Sequence, residues 1–317
     1  MKFKSFILIF TLVLLPSTYN VALGAIIHLG AATDYNAFIR NNFSATSSDV
    51  EGRVAAGGNV DISSYSVNIK GSTQLYSDTS EFPALVVGGD LTFSSGQVAG
   101  DVYVGGSYTP TSTGSVSNGS VTIGGISPIN FDNEFSYLGN LANNLSLLDA
   151  NGMASDMWST QYLKGAGKNG QGNDLHVFNL DASSLQFSDY LLSEVDMGDT
   201  VLFNIAGKNI STSWGNFGGS DNYLSNMSGS ILFNFFEAEE LDINAALYGS
   251  ILAPKADITA PHGVIWGQVI ANSWVGNAQI NENPFVGNSV DVPEPSTIAI
   301  FALGMIGLAS SRFKKQS

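Results

Sequence analysis

Residues 50–60 read VEGRVAAGGNV, and this stretch decides the fold. A second copy, VAGDVYVGGSY, occupies residues 98–108 and aligns with the first without a gap. Between and after them lie LVVGGDL at residues 85–91 and VTIGGI at residues 121–126. Alternating apolar residues are typical of strands, and a glycine pair supplies a bend that most residues adopt only with strain. The pattern therefore predicts a repetitive, all-β structure.

The spacing of the glycines indicates how these strands are arranged. The glycine pairs begin at residues 57, 88, 105 and 124, and later glycines lie at residues 249 and 267, in YGSILAPKADI (248–258) and IWGQVIA (265–271). Intervals near 18 residues are expected for a β-solenoid, in which each coil stacks its strands on the preceding coil. We therefore predict a right-handed β-helix, or β-solenoid.

Two asparagines follow phenylalanines in strand-like segments. Phe203-Asn204 and Phe233-Asn234 repeat one dipeptide within residues 200–210 and 229–236. The repeat is compatible with a ladder of stacked amides inside the coils, and equally with isolated surface asparagines. Both interpretations stay open at this point.

One segment has helical periodicity. Its apolar residues recur at steps of three or four, which places them on one face of a helix: Phe131, Phe135, Leu138, Leu141, Leu145 and Leu148. Asn130 or Asp132 is expected to cap the start, and Asn151-Gly152 to end the helix. We predict an amphipathic helix packed along the solenoid, with a dimerisation helix as the alternative.

The strand motifs also resemble a known family. Residues 48–59, 85–90, 249–257 and 267–271, followed by Asn283-Pro284-Phe285, are similar to the choice-of-anchor A domain, and the resemblance spans roughly residues 35–285. It implies a bacterial surface domain with a β-helix fold, an adhesive role and no established activity. Where other members carry a histidine before Pro-Phe, this chain has Glu282, so no histidine role is carried over.

The C-terminal residues have the layout of a sorting signal. Pro293-Glu294-Pro295 precedes an uncharged run at 296–311, and Arg312, Lys314 and Lys315 follow as a cytoplasmic membrane stop. Sixteen helical residues span about 24 Å, close to the roughly 30 Å hydrocarbon core. Residues 292–317 resemble the PEP-CTERM signal of Gram-negative bacteria. This implies a transient inner-membrane anchor, removal of the tail by an exosortase, and release to the cell surface or extracellular matrix.

The N-terminal residues indicate export as well. Lys2 and Lys4 precede an apolar run at 6–15, and Ala22-Leu23-Gly24 provides the small residues of a cleavage site. We predict a signal peptide at residues 1–24, cleaved between Gly24 and Ala25. Residues 25–291 are then one β-solenoid domain with its core at about 35–285.

Composition limits the partners and the chemistry. The predicted mature body has 7 basic and 26 acidic side chains, a net charge of −19, which disfavours nucleic acid and anionic membranes. Cysteine is absent, which excludes disulfides, thiol catalysis and thiolate metal sites. An acidic, exported body is compatible with an extracellular polysaccharide as partner.

No catalytic motif is present in the sequence. Glu237 and Glu239 would lie about 6.6 Å apart if both were on one strand, a spacing that glycoside hydrolysis permits. His176 has Asp174 as a neighbouring carboxylate, a pattern more typical of a polar strand face than of a ligand pair. We predict no catalytic residue and no enzyme, with a polysaccharide-binding or polysaccharide-processing β-helix as the alternative.

Metal and glycan contacts have few candidates. Four aspartates, three of them beside Gly or Asn, are candidate calcium ligands, although a role in their own turns is favoured: Asp90, Asp101, Asp221 and Asp242. No metal-binding motif occurs, so we predict no cofactor, with calcium as the one candidate cation. Trp214, in a Gly/Asn/Ser-rich loop, is the candidate for stacking on a sugar ring, whereas Trp266 is as compatible with a core position.

Three functions remain from the sequence. The first is an exported adhesin or structural component of the cell surface, with an extended rigid face that makes many weak contacts. The second is a polysaccharide-processing enzyme on the same scaffold. The third, a flat binder of ordered water or crystals, requires a long regular Thr-x-Thr array, and only scattered Ser and Thr are seen.

Overall fold

The computed structural model describes residues 25–70, 82–212, 215–287 and 289–290. These residues form one large, mainly parallel sheet wound into a solenoid, a small three-stranded sheet, a two-stranded ribbon and a long helix. The all-β solenoid predicted from the glycine repeats is confirmed. The predicted membrane helix at 296–311 and the predicted signal peptide lie outside the described residues.

The elements in chain order are as follows. The strands before the long helix are β1 Ala25–Ile26, β2 Ala37–Ile39, β3 Phe43–Val50, β4 Val54–Ala56, β5 Val60–Val67, β6 Leu85–Val87, β7 Leu91–Ala99, β8 Val102–Val104, β9 Tyr108–Ser117 and β10 Val121–Ile123. The helices are α1 Phe131–Ser146 and α2 Tyr223–Asn226, with short 3-10 turns at Gly30–Asp34, Ala182–Leu185 and Ser228–Ser230. The strands after α1 are β11 Met153–Met157, β12 Thr160–Lys164, β13 Leu175–Asp181, β14 Asp189–Ser193, β15 Thr200–Ala206, β16 Asn209–Ser211, β17 Ile231–Asn234, β18 Glu240–Asp242, β19 Leu247–Tyr248, β20 Ser250–Ala260, β21 Val264–Trp266, β22 Val269–Gly276, β23 Gln279–Asn281 and β24 Ser289–Val290.

The coils are not stacked in the order of the sequence. β2 lies between β4 and β22, so the first coil of the chain stacks directly on the last. From this junction the early coils continue to β10 and the later coils to β13, and α1 connects the two ends. The buried Asn36 seals the junction, because its amide donates to the carbonyl of Gly267 at 2.9 Å and accepts from Gly52 N at 3.1 Å.

A complete coil has three strand segments, which define three faces. β2, β4, β6, β8 and β10 belong to the first face, together with β13, β15, β17 and the first residues of β20 and β22. β3 and β5 bend at Ser47 and Ser64, which have positive φ, and so contribute to the second and third faces. Inward side chains from all three faces, including Phe43, Tyr65 and Trp274, form the main core.

The glycine pairs at residues 57–58 and 88–89 are required by a lack of space, whereas Gly124 and Gly125 have positive φ and nothing within 4 Å of an added Cβ. Gly57, Gly58, Gly88 and Gly89 do not have positive φ, so the strained bend expected from the sequence is wrong for them. A Cβ on Gly88 would overlap the carbonyl oxygen of Gly57 on the next coil, and a Cβ on Gly89 would overlap Oδ1 of Asn59. Close stacking of successive corners therefore excludes a side chain.

Helix α1 begins where the sequence predicts and ends earlier. Asn130 caps its start by accepting a hydrogen bond from Asn133 N at 3.1 Å. The helix ends at Ser146, so the predicted end at Asn151-Gly152 is wrong. Asn151 has a different contact: it accepts from Val177 N at 2.7 Å and donates to the carbonyl of Leu175 at 2.8 Å. It therefore pairs with edge strand β13 as a single-residue strand would.

The apolar side of α1 covers the first face of the solenoid, which we call the helix-covered face. Phe135, Leu138 and Leu145 are buried against the outward side chains of this face. Those side chains are Val177, Leu202, Leu232, Leu252, Ile270, Phe38, Ala55, Val86 and Tyr103. The predicted packing of the helix along the solenoid is confirmed, and it forms a second apolar core.

An asparagine ladder joins this face to the helix. The Asn234 amide donates to Asn204 Oδ1 at 2.8 Å, and the Asn204 amide donates to Asn179 Oδ1 at 3.0 Å. Asn234 and Asn204 also donate to the carbonyls of Ala142 and Leu145, both at 2.8 Å, near the C-terminal end of α1. The ladder exists, but its predicted place inside the coils is wrong: it lies outside them, under the helix.

Candidate binding faces

The second face of the solenoid is uncovered and has the properties of a binding surface. On four strand segments this face has a shorter row of outward side chains, Asn209, Glu240, Asp257 and Ser273, and beside it a longer row lies in register along eight neighbouring segments. The longer row runs Ser211, Asp242, Thr259, Val275, Ser44, Asp61, Thr92, Thr109. All of these residues are exposed except the half-buried Ser44. We call this surface the open face.

The open face is long and rich in hydroxyl groups. Eight parallel strands at a spacing of roughly 4.8 Å give a row about 34 Å long. Five of its eight members are Ser or Thr, Asp61 and Asp242 add carboxylates, and Val275 is apolar. The backbone beneath is fixed by the parallel ladder and by buried inward residues such as Ile62 and Trp274. The surface therefore presents short hydrogen-bonding groups at a regular spacing.

A ladder of side-chain caps stiffens the corner beside this face. Asn42 Oδ1 accepts from Asn59 N at 2.9 Å, Asn59 Oδ1 accepts from Asp90 N at 2.9 Å, and Asp90 Oδ1 accepts from Ser107 N at 2.7 Å. The sequence interpretation, in which each aspartate stabilises its own turn, is confirmed for Asp221, which accepts from Tyr223 N at 3.0 Å. It is wrong for Asp90, because Asp90 and the two asparagines each cap the following coil. Asp101 does the same by accepting from Ser120 N at 2.8 Å.

These carboxylates are therefore engaged by backbone donors. Across the described ranges, no cluster of three or more His, Asp or Glu residues is arranged to hold a metal ion. Calcium binding by Asp90, Asp101, Asp221 or Asp242 stays a prediction.

The predicted carboxylate pair is not on a strand. Glu237 and Glu239 lie in the turn between β17 and β18, which corrects the expected shared strand face. Glu237 accepts from Gly207 N at 2.8 Å, and Glu239 pairs with Lys208 at 2.5 Å. The pairing raises the pKa of Lys208, first through the hydrogen bond to Glu239 and then through its charge. Both carboxylates contribute to the structure of this turn.

The burial and the partner of His176 differ from those expected from the sequence. It is fully buried, not on a polar face, and its partner is Asp199 rather than Asp174: His176 Nε2 lies 2.9 Å from Asp199 Oδ2. Asp199 also accepts from the backbone N–H groups of Asp174 at 2.9 Å and Asp196 at 2.7 Å. The pair closes the loop before β15 and opens onto no described cavity.

The tryptophans have separate environments. Trp274 is buried in the core and stacks on Phe43. Trp266 is partly exposed on the third face and lies parallel to Tyr248, so the core alternative for it is wrong. Trp158 is 92% exposed. Trp214, the predicted sugar-stacking residue, lies outside the described residues.

The predicted processing signals cannot be placed in the fold. Gly24 and residues 291–317, with Pro293, Glu294, Pro295, Arg312, Lys314 and Lys315, lie outside the described residues, and Ala25 begins β1. Within the part of the chain that is described, no helix has the length and apolar character needed to cross a membrane.

Comparison with known families assigns the domain. Residues 28–282 match the family described as "Putative Ice-binding-like adhesive domain". The chain belongs to this family. The resemblance to choice-of-anchor A domains is not shown by this match and stays a prediction. The ice-binding-like adhesive domain thus includes the open face, the helix-covered face and helix α1.

Further matches concern the tail and the solved structures. Residues 291–315 match the PEP-CTERM protein-sorting motif, which implies exosortase processing and export to the surface of a Gram-negative bacterium. An ice-binding protein of the Antarctic ascomycete Antarctomyces psychrotrophicus is 14% identical, with 83% of this chain and 98% of that chain covered and a TM-score of 0.35. An ice-binding protein from an Antarctic biological consortium is 9% identical, with 82% and 91% covered and a TM-score of 0.36. No curated protein matches the chain.

Proposed function

We propose that this chain is an exported adhesin of the cell surface or extracellular matrix, and that the open face binds an extracellular polysaccharide. The observation that carries the proposal is the row of Ser, Thr and Asp side chains in register along eight strands. Hydroxyl and carboxylate groups are the natural partners of sugar hydroxyls. A row of single hydrogen bonds to a polymer gives weak individual contacts that add up through multivalency.

The charge of the protein narrows the polymer class. A chain with a net charge of −15 repels polyanions such as uronic acid polymers at low ionic strength. A neutral polysaccharide avoids this repulsion. We therefore expect a preference for neutral over acidic glycans, and no contact with nucleic acid.

The role that we propose is non-enzymatic. The carboxylates that the sequence offered for catalysis, Glu237 and Glu239, are engaged by Gly207 N and by Lys208. Asp199 is buried with three hydrogen-bond donors. These contacts support the non-enzymatic reading over the alternative of a polysaccharide-processing enzyme. No cofactor is part of the proposal.

Ice is a second candidate ligand, favoured by the regular spacing of the open face and by its threonines. Asp61 and Asp242 argue against it, because carboxylates in the row hold water more strongly than hydroxyl groups do. Inhibition of ice recrystallisation by the purified protein at micromolar concentration would favour ice over a polymer.

The path to the surface is also part of the proposal. A signal peptide at 1–24, a body at 25–291 wound as a right-handed solenoid of the choice-of-anchor A type, and a transient membrane anchor at 296–311 are consistent with the PEP-CTERM match. Expression of the full chain in a host with an exosortase should give a shortened product at the cell surface or in the medium. The variant lacking residues 291–317 should not be processed at the membrane.

Binding is tested by co-sedimentation with two insoluble neutral polymers, cellulose and chitin, and by affinity electrophoresis in soluble alginate as the acidic comparison. We expect retention on at least one neutral polymer and none in alginate. Absence of binding to both neutral polymers would contradict the polysaccharide proposal. A fall in the viscosity of a soluble glucan on adding the protein would instead establish an enzyme.

A further inference from the structure

Carboxylates of two coils meet where the last coil stacks on the first. β23 of the last coil lies beside β3 of the first coil, with Ile280 paired to Val50. Glu282 follows β23, Glu51 follows β3, and Asp49 lies near the end of β3. The N–H of Glu282 donates to Oε2 of Glu51 at 2.9 Å, and the N–H of Glu51 donates to the carbonyl of Ile280 at 2.9 Å. Closing the junction therefore brings acidic side chains together.

Carboxylates outnumber cations at this corner. Lys70 Nζ lies 2.7 Å from Oε2 of Glu51, and the Lys70 side chain is half exposed. Arg53 is buried, and its charge acts on Glu282. The ionisable groups of the corner and of the elements packed against it are Asp34, Asp49, Glu51, Arg53, Lys70 and Glu282, with His28 beside Asp34. Four acidic side chains thus face two permanent cations.

The corner is also short of hydrogen-bond donors. Four of its side-chain oxygens are buried without a donor among the described residues: Asp49 Oδ1, Asn68 Oδ1, Asn281 Oδ1 and Glu282 Oε1. Asn68 belongs to this corner because its N–H donates to the carbonyls of Val50 and Gly52. A buried oxygen without a donor costs free energy, and a charged one costs more than a neutral one. A proton on Glu282 removes a charge and gives the carboxyl group a donor of its own.

Burial and charge both favour the protonated form of Glu282. Burial raises the pKa of Glu282 above its ordinary 4.5, and the charge of Glu51 raises it further, against smaller lowering effects of Lys70 and Arg53. The pKa of Asp49 is raised in the same way, first by burial and then by Glu51. Ionisation of Glu282 is therefore unfavourable while the junction is closed.

We propose that Glu51 and Glu282 form a pH-dependent contact between the first and last coils, which is strong when Glu282 is protonated and weakens when Glu282 is ionised. Separating the two coils exposes the ionised group to water and moves it away from Glu51, which relieves both costs. Because the folded-state pKa is raised, this contribution to stability is fully present below pH 4.5 and is lost as the pH rises through the folded value. The contact is independent of what the open face binds, because its groups lie outside the rows of that face.

Glu282→Gln tests the contact, because it removes the charge and keeps the shape of the side chain. The protein is purified as an exporting host processes it, and its unfolding in urea is measured at pH 4 and pH 8. At pH 4 the variant and the wild type should be equally stable. At pH 8 the unfolding equilibrium constant of the variant should be about threefold smaller, the size expected for a charge interaction between partly exposed groups. Hydrogen exchange at the Glu51 amide, corrected for the intrinsic effect of pH, should slow in the variant at pH 8 alone.

Lys70→Gln is the matched variant and should act in the opposite direction. Lys70 is the cation that offsets the charges of Glu51 and Glu282, so its removal should destabilise the protein more at pH 8 than at pH 4. A role in packing alone would change stability by the same amount at both pH values. An effect of Glu282→Gln that is equal at pH 4 and pH 8, or an effect of Lys70→Gln that does not grow with pH, would overturn the proposal.

Discussion

His176 and Asp199 are bonded to each other at 2.9 Å with neither side chain exposed to solvent. Nδ1 of His176 accepts a hydrogen bond from Ala166 N at 3.0 Å, so the ring proton must be on Nε2, the atom that faces Asp199. The histidine is therefore neutral in this arrangement and donates to an ionised carboxylate. The pair is a buried structural support for the loops before β13 and β15.

This arrangement predicts an acid-sensitive element of stability. Burial raises the pKa of Asp199, but hydrogen bonds from His176 and from two backbone N–H groups outweigh burial and lower it below its usual 3.8. A lowered folded-state pKa contributes stability that is present above pH 3.8 and is lost as the pH falls through the folded value. Urea unfolding between pH 4 and pH 2 should show a smaller loss of stability in Asp199→Asn than in the wild type.

Because the glycine corners of successive coils stack closely, we expect substitution of these glycines by alanine to lower the free energy of unfolding. In Gly88→Ala the new methyl group meets the carbonyl oxygen of Gly57, so a coil must shift and the free energy of unfolding should fall by about 3 kcal/mol. In the control, Gly139→Ala, nothing lies within 4 Å of the added carbon, and the residue is inside α1. This change should stabilise the protein by about 1 kcal/mol, the helix propensity difference. Equal effects at both positions in urea titrations would contradict the argument from space.

The asparagine ladder should contribute to the docking of α1. Asn234→Ala removes a buried amide that donates to both Ala142 O and Asn204 Oδ1, so we expect a loss of about 2 kcal/mol in the free energy of unfolding. Asn179→Ala, at the exposed end of the ladder, should cost about 1 kcal/mol or less. Hydrogen exchange of α1 amides would locate the effect, because faster exchange is expected in the helix for Asn234→Ala and less for Asn179→Ala.

Because the open face is the proposed contact surface, we expect each large side chain introduced on it to weaken polymer binding further. Thr92→Tyr and Thr259→Tyr each insert a large ring into the row, and the double variant should lose affinity by about the product of the single losses. Ser115→Tyr, exposed on the third face, is the control and should bind as the wild type does. The readout is the retained fraction on the neutral polymer that binds the wild type. Equal losses for Ser115→Tyr and Thr92→Tyr would exclude the open face as the contact surface.

The local features of the fold could be predicted from the sequence. The glycine spacing gave the parallel coils, and the three- and four-residue steps from Phe131 onward gave the helix and its buried side. Both signals are periodic over short distances. The position of β2 between β4 and β22 has no such signal, because pairing of Ala37 with Val269 joins residues that nothing in the local pattern connects.

Some residues of the open face could be predicted from the sequence. Asp61, Thr92 and Thr109 each occur four positions after the first glycine of a pair, which places them at equivalent positions of successive coils. Thr259 and Ser211 follow no glycine pair and could not be aligned. The role of Asn151 was missed for a different reason: an Asn-Gly after a helix is typical of a helix end, and only the tertiary structure brings it beside β13.

Because the first and last coils of the chain are neighbours, the solenoid is closed by a junction in the middle of the stack and not at one of its ends. Asn36 reaches Gly267 across 231 positions of the chain and Asn281 across 245, so the contacts at this junction carry a high loop-closure cost. The junction between the first and last coils cannot form until almost every residue of the domain has been synthesised. Closure of this junction is therefore slow and late, and the strands on both sides of it keep exposed sheet edges until it occurs. We expect misassembly of the protein to begin at this step.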